Sequence, residues 1–115
     1  MSFEGDIAAV LRTVCPRVFP DVAPVTTQRP YVTYSQFGGE VINPLNNAPP
    51  GKRNAFMQVN VWSSTRLEAS NMIRQIEDAM RAASAFNAKP QAAASNDYDP
   101  DVPVYGASQD FSCWY

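Results

Sequence analysis

Side chains able to do chemistry are few in this sequence and lie far apart. It contains no histidine, the residue that most often serves as general base and as metal ligand in proteins. Its two cysteines, Cys15 and Cys113, lie near opposite ends, so they form no zinc-binding motif and have no histidine to activate them. We expect both thiols to be reduced and buried as small apolar side chains. The sequence therefore predicts no enzyme activity, no metal site and no cofactor.

Two charged clusters have part of a ligand-binding motif. Asp97, Asp99 and Asp101 have the alternate spacing of a calcium loop, but the glycine and the closing glutamate of such a loop are missing. We therefore interpret this acidic segment as a hydrated turn. Lys52 and Arg53 follow a glycine without the spacing of a phosphate-binding loop. Contact with an acidic partner and simple solvation of a loop both remain open for this pair.

Aromatic residues are the remaining unusual feature, because three of them fall on otherwise polar faces of predicted strands. Phe56 and Trp62 share a face with glutamine and asparagine, and Trp114 shares one with serines and an aspartate. Such rings either cover a second layer of the same domain or form an interface, where aromatic residues are enriched. The candidate interface residues are therefore Lys52, Arg53, Phe56, Trp62 and Trp114.

Two helices are predicted by apolar residues that recur at helical spacing. The first covers residues 3–14, with Ser2 as N-cap and Pro16 as the residue that ends it. The second runs from residue 66 to about residue 84. It opens with a capping box, in which the Thr65 hydroxyl accepts the amide of Glu68 while the Glu68 carboxylate reaches back to the cap.

Strands are predicted where apolar and polar residues alternate or where aromatic and β-branched residues cluster. The alternation is clearest in the fourth and last of these segments: 18–19, 31–37, 40–42, 55–62 and 104–115. A weaker strand is predicted near residues 90–94, a turn at 96–101, and a long loop at 43–54. The order helix, strands, long loop, strand, helix, strand predicts an α+β fold, α-β-β-β-α-β in its main elements, with a mostly antiparallel sheet and two helices packed on one face.

Length and charge limit the function further. A chain of 115 residues fits one domain, 1–115. Its net charge of −2 argues against nucleic-acid binding, which usually needs a concentrated basic patch. The first residues lack the basic character of a signal peptide, and no apolar run is long enough to cross a membrane. We therefore expect a protein made in the cytoplasm that binds no membrane.

Four segments, in this order and spacing, resemble the phage tail-completion and tail-terminator family. They are Arg17-Val18-Phe19-Pro20 after an N-terminal helix, Arg29-Pro30-Tyr31-Val32-Thr33-Tyr34, Met57-Gln58-Val59-Asn60-Val61-Trp62-Ser63 before the long helix, and Gln109-Asp110-Phe111-Ser112-Cys113-Trp114-Tyr115. The resemblance covers nearly the whole chain. Residues 43–54 and 88–103 match the family poorly, and partner contacts would vary there.

The resemblance implies a structural protein of a phage or prophage. Such proteins form a six-fold ring on the end of the tail tube, stop its polymerisation and provide the surface on which the head docks. The implied partners are further copies of the chain, the tail tube protein and a head-completion or connector protein. The implied location is the host cytoplasm during assembly and then the head-proximal end of the virion tail. The family has no catalytic residues to transfer to this sequence.

Two alternatives remain open at this point. The first is another head–tail joining or connector protein of the same particle. The second is a cytosolic domain, unrelated to phages, that binds a small ligand. The second alternative requires a concave apolar pocket with a few convergent polar groups.

Overall fold

Two helices and six strands follow one another in a computed structural model that describes residues 2–47 and 50–115. Their bounds are α1 Phe3–Arg12, β1 Val18–Pro20, β2 Tyr31–Gln36, β3 Asn54–Ser63, α2 Arg66–Ala82, β4 Asn87–Pro90, β5 Ser95–Asp99 and β6 Val104–Trp114. The predicted α+β class and element order are confirmed. Two short strands, β4 and β5, lie between α2 and the last strand, where the sequence predicted one weak strand and a turn.

Local hydrogen bonds explain where α1 begins and ends. The Ser2 hydroxyl accepts the amide of Gly5 at 3.0 Å, which confirms Ser2 as the N-cap. The helix ends at Arg12, two residues before the predicted end, because the chain tightens at Thr13. There the Thr13 amide and hydroxyl both donate to the carbonyl of Val10, at 3.1 and 2.6 Å.

The capping box of α2 forms in part and uses one further residue. Thr65 is the N-cap, and its hydroxyl accepts the amide of Glu68 at 3.2 Å, as predicted. The amide of Thr65, however, donates to the hydroxyl of Ser63 at 3.2 Å rather than to Glu68. The Ser63 hydroxyl in turn donates to the Glu68 carboxylate. Ser63 therefore relays the contact that a capping box makes directly.

The sheet has the strand order β1-β2-β3-β6-β4, and β5 pairs with β6 beside β4. The β1–β2 pair is parallel and the other pairs are antiparallel. At its centre, β3 and β6 pair continuously from Asn54 opposite Trp114 to Ser63 opposite Tyr105. This register decides which side chains of the two strands share a face.

Three strand-level predictions need correction. Residues 40–42 form no strand, because Gly38 and Gly39 adopt φ angles of 115° and 157° and turn the chain away from the sheet. The strand predicted near 90–94 lies earlier, at Asn87–Pro90. The turn predicted at 96–101 is largely strand β5, because the first half of β6 offers it a free edge. The turn itself occupies residues 100–103.

One cluster of buried residues joins both helices to one face of the sheet. Along β3, Ala55, Met57, Val59 and Val61 are fully buried, whereas the residues between them are half-buried. Helix α2 packs on β3, β6 and β4, and α1 packs on α2 and β1. The helical part of the cluster includes Ile7, Ala8, Leu11, Ala69, Met72, Ile73, Ile76 and Met80. The two-layer packing leaves the opposite face of the sheet without a helix.

Candidate functional site

We call the side of the sheet that faces away from both helices the open face. Alternation along each strand and the cross-strand register place its residues in rows. The open face carries Tyr31, Thr33 and Ser35 from β2, Phe56, Gln58, Asn60 and Trp62 from β3, and Gly106, Ser108, Asp110, Ser112 and Trp114 from β6. Three of the five predicted interface residues, Phe56, Trp62 and Trp114, therefore lie on one surface.

Trp62 is fixed at one end of the open face by two neighbours. Its indole nitrogen donates to the Thr33 hydroxyl on β2 at 3.3 Å. Its six-membered ring covers Gly106 on β6, where a Cβ atom would lie 3.1 and 3.3 Å from two ring carbons. The ring is held flat against the sheet, and it presents its outer surface to solvent or to a partner.

Phe56 and Trp114 lie toward the other end of the open face. Phe56 is about 20 Å along β3 from Trp62, at roughly 3.4 Å per residue. Its ring lies 5.7 Å from that of Phe37, which is half exposed. Phe37 is an aromatic surface residue that the sequence analysis did not single out, because it falls at the end of a predicted strand, where alternation assigns no face.

Mostly neutral polar groups occupy the middle of the open face, where Asp110 lies opposite Gln58 as the one carboxylate from β2, β3 and β6. In the middle the Asn60 amide donates to the Gln58 carbonyl oxygen at 3.4 Å, and at the Trp114 end the Asn54 amide donates to the Ser112 hydroxyl at 2.9 Å. Apart from Asp110, these amides and hydroxyls offer hydrogen-bond donors and acceptors without a charge to desolvate. This composition is typical of a protein interface.

Arg53 does not lie on the open face, and Lys52 lies at its Trp114 end. Arg53 pairs with Tyr115 as an extension of the ladder, through backbone hydrogen bonds of 2.8 and 2.9 Å. By alternation its side chain falls on the side of Ala55, away from Phe56. Lys52 lines a groove at the end of the sheet together with Trp114 and Tyr115. The structure therefore places neither cation between Phe56 and Trp62.

Both cysteines are free and buried, as the sequence predicted. Burial raises the pKa of the Cys113 thiol to about 12, so the thiolate needed for nucleophilic attack is scarce at neutral pH. The Cys15 sulfur lies 3.5 Å from the carbonyl oxygen of Pro30. Within residues 2–47 and 50–115, no three His, Cys, Asp or Glu side chains are grouped as metal ligands would be.

The clearest electrostatic network lies on the helix side. Buried Gln109 on β6 donates through its amide to the Glu77 carboxylate at 2.7 Å and to the carbonyl of Ala92 at 2.9 Å. Arg81 contacts the other carboxylate oxygen of Glu77 at 3.2 Å. The Gln109 bond, more than Arg81, lowers the pKa of Glu77, against an opposing effect of burial. The network ties α2 and the β4–β5 connection to the central strand.

The fold and the open face together define a two-layer α+β protein with an aromatic and neutral polar sheet surface. The chain belongs to a family of phage tail completion proteins, since the family model for Tail completion protein gp17 matches residues 5–115. It is therefore a component of the virion tail that assembles with other tail proteins. No curated protein matches the chain significantly. Neither helix in the described part of the chain has the length and apolar character needed to span a bilayer.

Proposed function

We propose that this protein caps the tail tube as a ring, stops tube polymerisation and provides the surface on which the head docks. Membership of the tail completion family supports a role late in tail assembly. The observation that carries the proposal is the open face. Its aromatic anchors and neutral polar centre are suited to contact with another protein, and both helices leave it accessible.

In this proposal the open face contacts the last ring of the tail tube. Trp62 and Phe56 lie about 20 Å apart along one strand and frame the polar residues between them. A partner surface that covers the whole face would desolvate the two rings and meet the central amides with its own polar groups. Aromatic residues in such positions commonly carry much of the binding energy of an interface.

The two edges of the sheet suit a ring subunit. The edge strand β1 has three residues and ends at a proline, which cannot donate to a further strand. The other edge is divided between β4 and β5, and every residue of β5 is exposed. Short and interrupted edges limit uncontrolled strand pairing, so contacts between neighbours would depend on side chains and surface shape.

The proposed role includes no chemistry. The sequence has no histidine. Cys113 is buried with a raised pKa, and Cys15 is buried as well. Among its described residues the open face has amides, hydroxyls and aromatic rings and two carboxylates, Asp110 opposite Gln58 and Asp97 opposite Gly106, which lie four residues apart in the register of β6. A carboxylate without an acid–base partner or nucleophile does not form a catalytic centre.

Deletion of the gene from its phage tests the proposal. Electron microscopy of lysates should then show tail tubes of uncontrolled length without attached heads, and expression of the chain from a plasmid should restore both length and attachment. Normal-length tails that lack only heads would instead support the alternative, a head–tail joining protein that acts after the tail is complete. Normal, head-bearing tails would contradict both roles.

A further inference from the structure

A groove of about 590 Å³ opens where β6 ends, beside the open face. We call it the basic groove, because three cationic side chains line it and none of its described lining residues is acidic: Lys52, Arg81 and Lys89. Aromatic rings form its apolar part: Phe86, Trp114 and Tyr115. An acidic segment that also carries an aromatic or apolar side chain matches this lining.

The aromatic side of the basic groove is built from packed rings. Tyr115 stacks on Phe3 with ring centroids 4.0 Å apart and planes 4° apart. Phe3 in turn meets Phe86 edge-on at 5.6 Å. This packing joins the first residue of α1 to the last residue of the chain. The groove is therefore formed by the folded core rather than by mobile side chains alone.

The positive charge of the groove is only partly compensated. Arg81 is paired with Glu77 at 3.2 Å. Lys52 and Lys89 are exposed and form no ion pair within the described residues. The two lysines are thus available for carboxylates from outside the chain.

The complementary surface is the β5–β6 hairpin of the same chain, at residues 95–108. We call the segment from Asp97 to Asp101 the acidic strand end, because it holds three of the eleven acidic residues of the chain. All its residues are exposed. Tyr98 is 45% exposed and packs on Tyr105 with ring centroids 4.7 Å apart. Carboxylates and an aromatic ring therefore project together from one edge of the sheet.

Two arginines lie near the acidic strand end without forming ion pairs to its carboxylates among the described residues. Arg66 lines a shallow pocket with Asp97 and Tyr98, and Arg29 donates to the carbonyl of Pro103 at 2.7 Å. Neither arginine forms an ion pair with the three aspartates within the described residues. Asp97 and Asp99 instead accept backbone amides, from Tyr98 at 2.8 Å and Asp101 at 3.0 Å.

The two surfaces lie at opposite ends of β6. The hairpin turn precedes Val104 and the basic groove adjoins Trp114, so about 34 Å of strand separates them at roughly 3.4 Å per residue. A chain cannot fill its own groove across this distance, but a neighbouring copy can. A contact between different surfaces of identical chains repeats head to tail, and it closes into a ring when the rotation between neighbours allows.

We propose that the acidic strand end of one copy docks in the basic groove of the next copy. Asp97, Asp99 or Asp101 pairs with Lys52 and Lys89, and Tyr98 contacts the aromatic side of the groove. This inference rests on the proposed ring and names the surfaces that join its subunits. The contact borders the open face at Trp114 and at Asp97, which pairs with Gly106, and it leaves the residues between Phe56 and Trp62 on β3 free for the tail tube.

Charge reversal with rescue tests the contact in assembled tails. The variants are Lys89→Glu, Asp99→Lys and the double variant, each supplied from a plasmid to the deleted phage, with Arg74→Glu on the exposed side of α2 as the control. The readout is the amount of this chain per purified tail, measured by quantitative mass spectrometry. Each single reversal should lower it at least about tenfold, because like charges would then meet across the contact. The double variant should restore it to within about threefold of the wild type, and the control should leave it unchanged.

Disulfide cross-linking tests the same contact when the variants yield too few tails for quantification. Lys89→Cys and Asp99→Cys are combined in one chain, where Cys15 and Cys113 stay buried. Mild oxidation of tails should give a ladder of covalent multimers on non-reducing gels, and neither single variant should give it.

The outcomes separate this inference from the proposed function. Loss with Lys89→Glu but not with Asp99→Lys, or loss without rescue in the double variant, would overturn a contact between copies and indicate another acidic partner. If wild-type tails remain capped, normal amounts of both single variants in the tails would also overturn the contact. So would the absence of a cross-linked ladder. Absence of the wild-type chain from tails would instead defeat the proposed function.

Discussion

The indole ring of Trp62 lies over Gly106 on the neighbouring strand and fills the space that a side chain at position 106 would occupy. A Cβ atom there would lie 3.1 Å from one ring carbon and 3.3 Å from another. The two residues are direct cross-strand partners in the β3–β6 pair. The glycine thus allows the Trp62 indole to lie flat, between the Thr33 hydroxyl on one side and the β6 backbone on the other.

Substitution of Gly106 by valine should displace the Trp62 ring and destabilise the fold. The added methyl groups overpack a close contact, at an expected cost of about 1–3 kcal/mol in the free energy of unfolding. Urea unfolding measures the loss, and tryptophan fluorescence in a Trp114→Phe background reports the ring itself. Gly51→Val is the matched control, because a Cβ at Gly51 meets nothing within 4 Å. Equal effects at the two positions would contradict the close contact.

A charge in the middle of the open face should block assembly and leave the fold intact. Gln58→Arg places a guanidinium between the aromatic anchors, whereas Gln75→Arg makes the same change on the exposed side of α2. Both variants should lie within about 1 kcal/mol of the wild type in stability. Only Gln58→Arg should fail to restore tail length in the deleted phage. If both variants restore it, the open face is not the assembly surface.

Stability should fall at acidic pH in part through Glu77. The hydrogen bond from Gln109 holds the pKa of this carboxyl below 4.5, its ordinary value. A lowered folded-state pKa contributes stability that is complete above that ordinary value and is lost as the pH falls through the folded-state pKa. Glu77→Gln keeps an oxygen that can accept from Gln109 but cannot titrate. Urea unfolding between about pH 5 and pH 3 should therefore show a shallower loss for this variant. An identical slope would refute the role of Glu77.

Neither thiol should react in the folded protein. Burial raises the pKa of Cys113 to about 12, and Cys15 is buried against α1 and β1. A thiol reagent should label both cysteines in about 6 M guanidinium chloride and neither in native buffer, apart from the slow rate set by unfolding. Fast native labelling of Cys113 would show that the C-terminal strand opens readily.

The sequence predicted correctly the elements that short-range patterns specify, such as a helix cap or a strict alternation of buried and half-buried residues. The strict alternation at residues 55–62 placed Met57 and Val59 on the core side of β3, and Thr65 located the start of α2. Strand β5 was missed because its sequence is polar, and its pairing depends on the free edge of β6. Whether β6 has a free edge depends on the complete sheet, so residues 95–99 alone could not predict this strand.

The sequence predicted only part of the open face, because it does not show how the strands pair. Alternation alone grouped Phe56 with Trp62, but only the register between β3 and β6 could place Trp114 on the same face and Gly106 beneath Trp62. Lys52 and Arg53 were candidate contacts for an acidic partner, and the sequence assigned neither of them to a face of the sheet. The backbone pairing of Arg53 with Tyr115 continues the ladder and turns the Arg53 side chain away from Phe56, whereas Lys52 lies beside Trp114 at the end of the sheet.

The most direct test of the account is a cryo-electron microscopy reconstruction of the head-proximal end of purified tails. We predict a ring of copies of this chain on the last ring of the tail tube, with Trp62 and Phe56 of each copy buried against the tube protein. A chain located elsewhere in the particle, or a ring whose open face is turned to solvent, would contradict the account.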